Sequence, residues 1–155
     1  MCRALVPLLA AAMLAFAACG DDDDDSGPPS RDEFIAQADA ICADFQELDE
    51  GISADLEAAR DGQEQAEVLR RAVAEAEQSI DDLDALEAPE DGSEQFESYL
   101  AAMRDQIAAF DQAADQLEAG DVAAAQRTVT SAEERGAEVR RIAQDYGFEV
   151  CGREP

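Results

Sequence analysis

An all-α fold, an up-down-up-down four-helix bundle, is the architecture this sequence predicts, and three observations predict it. Four segments of similar length carry apolar residues at alternating steps of three and four, which is the spacing of one helical face. Short connections containing Gly, Asp or Pro separate them, and short connections make antiparallel neighbours. No segment shows the two-residue alternation of a half-buried strand.

The first helix opens at Ser30-Arg31-Asp32-Glu33, a capping box in which Ser30 accepts from the Glu33 amide while Glu33 reaches back to the Ser30 amide. Its expected buried stripe is Phe34, Ala38, Ile41, Phe45, Leu48, Ile52, Leu56 and Ala59, and Asp61-Gly62 is expected to stop it. A second helix is predicted from about Gln63 to Leu86, with Ala66, Leu69, Val73, Ala76, Ile80 and Leu83 inward, closed by Pro89 and Gly92. The third begins near Ser93, presents Phe96, Leu100, Met103, Ile107, Phe110, Ala114 and Leu117, and ends at Gly120. Asp121 can cap the fourth, whose inward set is Val122, Ala125, Val129, Ala132, Gly136, Val139, Ala143 and Tyr146, with Gly147 as its left-handed terminus. Residues 30–155 therefore form one bundle domain. Its core is thin, because only 25 Val, Ile, Leu, Phe and Met residues follow Cys19 and alanines must fill the rest. Gly136 within a stripe marks either a close backbone approach or a neutral position.

Upstream, the apolar stretch Ala4 to Ala18 follows Arg3 and ends in small residues before Cys19. About 15 apolar residues are too few for a membrane span, which needs about 20, so residues 1–18 read as a cleaved signal peptide. Phe16-Ala17-Ala18-Cys19 resembles the lipobox of bacterial lipoproteins, although Phe16 stands where leucine is usual. The resemblance implies that the Cys19 thiol is acylated and becomes the first residue of a protein held stably at the membrane by more than one acyl chain. A cleaved signal without lipid, or a different start codon, are the rival readings. Residues 19–29 then form a disordered acidic tether, since Asp21 to Asp25 repel one another and Ser26-Gly27-Pro28-Pro29 resists regular structure. Asp22, Asp24, Ser26 and Glu33 fall near the spacing of an EF-hand loop. Pro28 and Pro29 in the middle of that loop, and the capping role of Glu33, argue against it.

A formal charge of −27 repels nucleic acid and anionic headgroups, so no nucleic-acid partner is expected. The sequence has no His and no Lys, which removes His-containing zinc sites, Ser-His triads and His-bearing di-iron bundles. No cofactor and no metal are expected. With Cys2 in the leader and Cys19 acylated, Cys42 and Cys151 remain. In an exported chain this pair reads as a disulfide, against two free thiols or a metal site, because two thiolates without His are too few to close a zinc site. The bundle topology brings the end of the fourth helix beside the first, within reach of Cys42.

Ala38-Asp39-Ala40-Ile41-Cys42, Gly120-Asp121 and Tyr146-Gly147-Phe148-Glu149-Val150-Cys151-Gly152 together are similar to a group of small actinobacterial lipoproteins. That resemblance implies a lipid-anchored envelope protein with a helical bundle, and it carries over no catalytic or binding residue.

Nothing in the sequence marks a carboxylate for acid–base work, which requires desolvation to shift its pKa. Asp39, Asp49, Asp84 and Asp115 flank the stripes as solvated or Arg-paired groups. Arg70-Arg71 and Arg140-Arg141 either pair with neighbouring acidic faces or form a small anion site. Tyr99 and Tyr146 are expected at the core edge with their hydroxyls in water, or lining a groove. The expected function is a noncatalytic binding or interaction module outside the cytoplasmic membrane, whose partner is an envelope protein or a small ligand. A ligand- or cation-binding accessory of an envelope transporter would need an apolar cavity ringed by Asp39, Arg140 or Tyr99. A carboxylate-dependent hydrolase would need two acids facing each other in a concave, partly dry site.

Overall fold

Residues 29–153 are described in the computed structural model, and they form four helices with no strand: α1 (Arg31–Ala58), α2 (Gly62–Asp84), α3 (Ser93–Glu118) and α4 (Val122–Tyr146). The expected signal peptide, Cys2, Cys19 and the tether up to Pro28 lie outside the described residues. Each helix packs on the next in chain order, and the chain is an all-α four-helix bundle.

Local chemistry sets the helix ends. The Glu33 amide donates to Ser30 Oγ at 3.4 Å while Glu33 Oε2 accepts from the Ser30 amide at 2.9 Å, so the capping box forms as the sequence predicts. These bonds hold the Glu33 carboxyl below its ordinary range. Asp61 does not stop α1. It caps α2, accepting from the Glu64 amide at 2.9 Å, while α1 ends where Ala59 turns extended. α2 accordingly starts at Gly62 and finishes at Asp84, short of the predicted Leu86. Asp121 accepts from the Ala124 amide at 2.9 Å, and Gly147 closes α4 at φ +107°, a left-handed conformation that costs glycine nothing.

The interior divides into two unequal clusters. At the pole where α1 begins and α4 ends, Phe34, Phe96, Tyr99, Tyr146 and Phe148 pack with Leu83, Leu100 and Ile80. Towards the opposite pole the core is mostly small, with Ala66, Ala113, Ala114 and Ala125 around Leu69 and Leu117. Aromatic bulk thus concentrates at one end, and alanines let the helices approach closely at the other.

α1 departs from its predicted stripe. Phe34, Ala38 and Cys42 are buried, but Phe45, Leu48 and Ile52 belong to neither cluster and Leu48 is 47% exposed. α1 packs on α2 while α4 packs on α3, and α1 meets α4 chiefly at the aromatic pole, so the apolar face of its middle is left partly uncovered. Val122, also predicted inward, is 46% exposed at the first position of α4. Asp49 sits in this uncovered part of α1, and partial burial pushes its carboxyl above the ordinary range. A carboxyl whose pKa is raised by folding destabilises the fold when ionised and stops doing so as falling pH protonates it. Asp49→Asn, with nearly equal helix propensity, is therefore expected to raise the melting temperature at neutral pH. The gain should fade as pH falls through the raised pKa, and melts across that range check it.

Gly136 is a neutral position rather than a backbone contact. A Cβ there would meet the Gln106 amide nitrogen at 2.6 Å and its Cδ at 3.4 Å, the mobile end of a side chain that can swing away. Gly136→Ala is expected to stabilise the bundle by up to about 1 kcal/mol through helix propensity, read from urea melts.

Candidate functional site

The best-defined polar construction in the fold is the latch that returns the C-terminal tail to α1. Cys42 and Cys151 form a disulfide across 109 residues of sequence. One turn before Cys42, the Asp39 carboxylate accepts from three consecutive backbone amides, Glu149 at 2.9 Å, Val150 at 2.8 Å and Cys151 at 3.0 Å. The helical spacing places Asp39 and Cys42 on one side of α1, so charge and covalent bond grip the same stretch of tail. Two amides finish the seal: Gln46 Nε2 donates to the Val150 carbonyl at 3.2 Å, and Gln144 Nε2 to the Gly152 carbonyl at 2.6 Å.

The tail thereby lays Phe148 over the aromatic core. Its ring stacks on Tyr146 at 4.5 Å between centroids and lies 5.4 Å from Tyr99. This corrects the placement expected for both tyrosines, which are only 1% exposed. The Tyr99 hydroxyl lies 3.9 Å from Cys42 Sγ, and because that sulfur is bonded and carries no proton, the phenol is the donor. Burial pushes the Tyr99 phenol well above its usual pKa, with the Asp39 charge adding to the effect. The Tyr146 hydroxyl is buried and has no partner among the described residues, while Arg31 stacks its guanidinium 4.5 Å from the ring centroid and donates to the Tyr146 carbonyl at 2.6 Å.

Asp39 is consequently a structural acceptor. Asp39→Ala would strip three amides of one charged partner and is expected to cost about 1–3 kcal/mol, tempered because the Glu149 amide is exposed and water can replace the carboxylate there. Asn keeps one acceptor oxygen and should fall between. Amide hydrogen exchange at residues 149–151 should quicken in the same order.

Most of the other singled-out charged groups are engaged as well, Asp49 and Arg140 being the exceptions. Arg70 binds Asp111 and Asp115 on α3, with Glu118 at 3.6 Å, and Arg71 binds Asp55 on α1 at 2.7 Å. Arg104 crosses from α3 to Asp84 at 2.9 Å. Arg141 pairs within α4 to Glu138 at 2.5 Å and Asp145 at 2.9 Å. These are partly or largely exposed pairs, worth roughly 0–1 kcal/mol each. Asp39, Arg140 and Tyr99 do not ring a cavity: Tyr99 is core, Asp39 holds the tail, and the best-formed depressions lie on α3 and α4 elsewhere. Among the described residues no charged side chain is buried, and no three acidic or thiol groups converge where they could hold a metal ion. None of the described helices is long and apolar enough to cross a membrane.

Sequence reasoning missed the threefold role of Asp39, because its partners lie 110 to 112 residues away and leave no local pattern. No family model matches the chain, and no curated protein or solved structure matches it significantly.

Proposed function

We propose that the protein is a lipid-anchored, extracytoplasmic binding or interaction module without catalytic activity, attached to the bacterial cell membrane through acylated Cys19. The observation that carries the proposal is the Cys42–Cys151 disulfide, since such bonds persist in oxidising compartments and are rare where thioredoxin and glutathione keep thiols reduced. A secretory leader ending in a lipobox-like Phe16-Ala17-Ala18-Cys19 accounts for reaching such a compartment. The noncatalytic part of the proposal draws support from the commitments of the polar groups. Asp39 holds the tail, Arg70, Arg71 and Arg141 hold carboxylates, and Tyr99 is packed in the core.

Mass spectrometry of the membrane-extracted protein tests the anchor. The expected result is an amino terminus at Cys19 carrying diacylglycerol and no peptide from residues 1–18. An unmodified terminus at any other residue overturns it.

A further inference from the structure

Arginines in this chain are scarce and mostly spoken for: Arg31, Arg60, Arg70, Arg71, Arg104 and Arg141 each have a carboxylate within ion-pair distance. Arg127 and Arg135 have none among the described residues, and both line the same open groove between α3 and α4, about 220 Å³ in volume. Arg140 and Arg153 also lack an ion pair but do not line it. The sequence around Arg127 is itself unusual, since residues 122–132 form the longest stretch without a carboxylate in the described chain, within a protein that has 38 Asp and Glu.

Arg127, Ser131 and Arg135 recur every four residues and so share one face of α4, opposite Gln112 and Gln116 of α3. The groove is rich in donors. Thr128 Oγ1 donates to Gln116 Oε1 at 2.8 Å, which leaves the Gln116 amide nitrogen to donate elsewhere. Arg135 Nη1 donates to the Asp105 carbonyl at 3.0 Å, which orients the guanidinium and leaves its other N–H groups available. An adjoining depression shares Arg127 and Ser131 and adds Gln126 and Thr130, with Glu134 as the acid on its rim.

Guanidinium groups with free donors recognise carboxylate and phosphate oxygens. Eight residues along α4 set the two arginines about 12 Å apart at the backbone, a span along which they can meet two separate anionic groups. Hydroxyl and amide groups fill the interval, and these complement hydroxyls. We infer that this groove binds an acidic oligosaccharide, a sugar chain whose carboxylates or phosphates meet Arg127 and Arg135 while its hydroxyls meet Ser131, Gln112 and Gln116. The net charge of −27 opposes such a ligand at long range, but at physiological ionic strength fields fade over about 8 Å, and no carboxylate lines the groove beside the two arginines. The inference rests on the reading of the bundle as a binding module.

The test is a titration of the isotopically labelled full-length protein in detergent, followed by amide chemical shifts, with trigalacturonate as probe. Maltotriose serves as the neutral sugar, and inorganic phosphate as the small anion. Trigalacturonate is expected to shift α3 and α4 amides flanking the groove, with affinity falling about tenfold for each of Arg127→Gln and Arg135→Gln and falling again with added salt. Maltotriose should leave these amides unmoved, and phosphate should bind more weakly. Absence of shifts, equal shifts in the double variant, or equal binding of maltotriose or phosphate would overturn the assignment. Both arginines are exposed, so a native-like spectrum of the double variant separates lost binding from lost folding. Cleavage of the trigalacturonate would instead refute the noncatalytic reading and leave the groove standing, and neither result bears on acylation of Cys19.

Discussion

Replacing Cys42 and Cys151 by serine is expected to remove about 4 to 5 kcal/mol of stability. The bond closes a loop with a sequence separation of 109 residues, and in the chain-entropy model such a loop constrains the unfolded ensemble by about that amount. Small domains are stable by only about 5–15 kcal/mol, and this one works with an alanine-filled second cluster and strong self-repulsion. The variant should unfold at a much lower urea concentration, and reductant should bring the wild type to the same midpoint. Asp39 and the two glutamines would still hold the tail, so in mild conditions the helix content should survive. A midpoint indifferent to both treatments would mean that the bond contributes nothing to stability.

Phe34→Ala is the second large effect, expected at about 3–5 kcal/mol. The Phe34 ring is wholly buried and touches an aromatic from each neighbouring part of the pole: Phe96 edge-on at 4.8 Å, Tyr146 at 5.9 Å and Phe148 at 6.2 Å. Its removal opens a cavity among rings that are too constrained by one another to collapse into it. Phe45→Ala, the same change about three turns along the same helix, should cost far less because Phe45 packs into neither cluster. Urea melts of the two variants side by side decide the matter. Equal losses would show that the middle of α1 is as well supported as its start.

That contrast also shows where the sequence was legible. Periodicity and caps identify four helices because both are local: Ser30 and Glu33 are three residues apart, as are Asp121 and Ala124. Periodicity says which face of α1 is apolar and cannot say what covers it, so Leu48 looked as buried as Phe34 until the positions of α2 and α4 were known. The two cysteines declared themselves by elimination, whereas the aspartate one turn away stood out only as one of four beside the apolar stripes, with nothing local to show its three amide partners. Tyr99 and Tyr146 were misplaced for a related reason. Their cover is Phe148, beyond the end of α4, which reaches them only because the tail folds back. The Arg127–Arg135 groove had a readable signal in the missing carboxylates of residues 122–132, overshadowed by the more conspicuous arginine doublets.

The position of the disulfide has a mechanical corollary. Tension entering at Ser30 and leaving at Arg153 would run along the first turns of α1, through the sulfur atoms and out of the tail, because Cys42 and Cys151 are covalently one node. The polypeptide between them lies off the force path. Pulling on the two ends of this molecule would unravel a short stretch of α1 and then halt, leaving α2, α3 and α4 under no load.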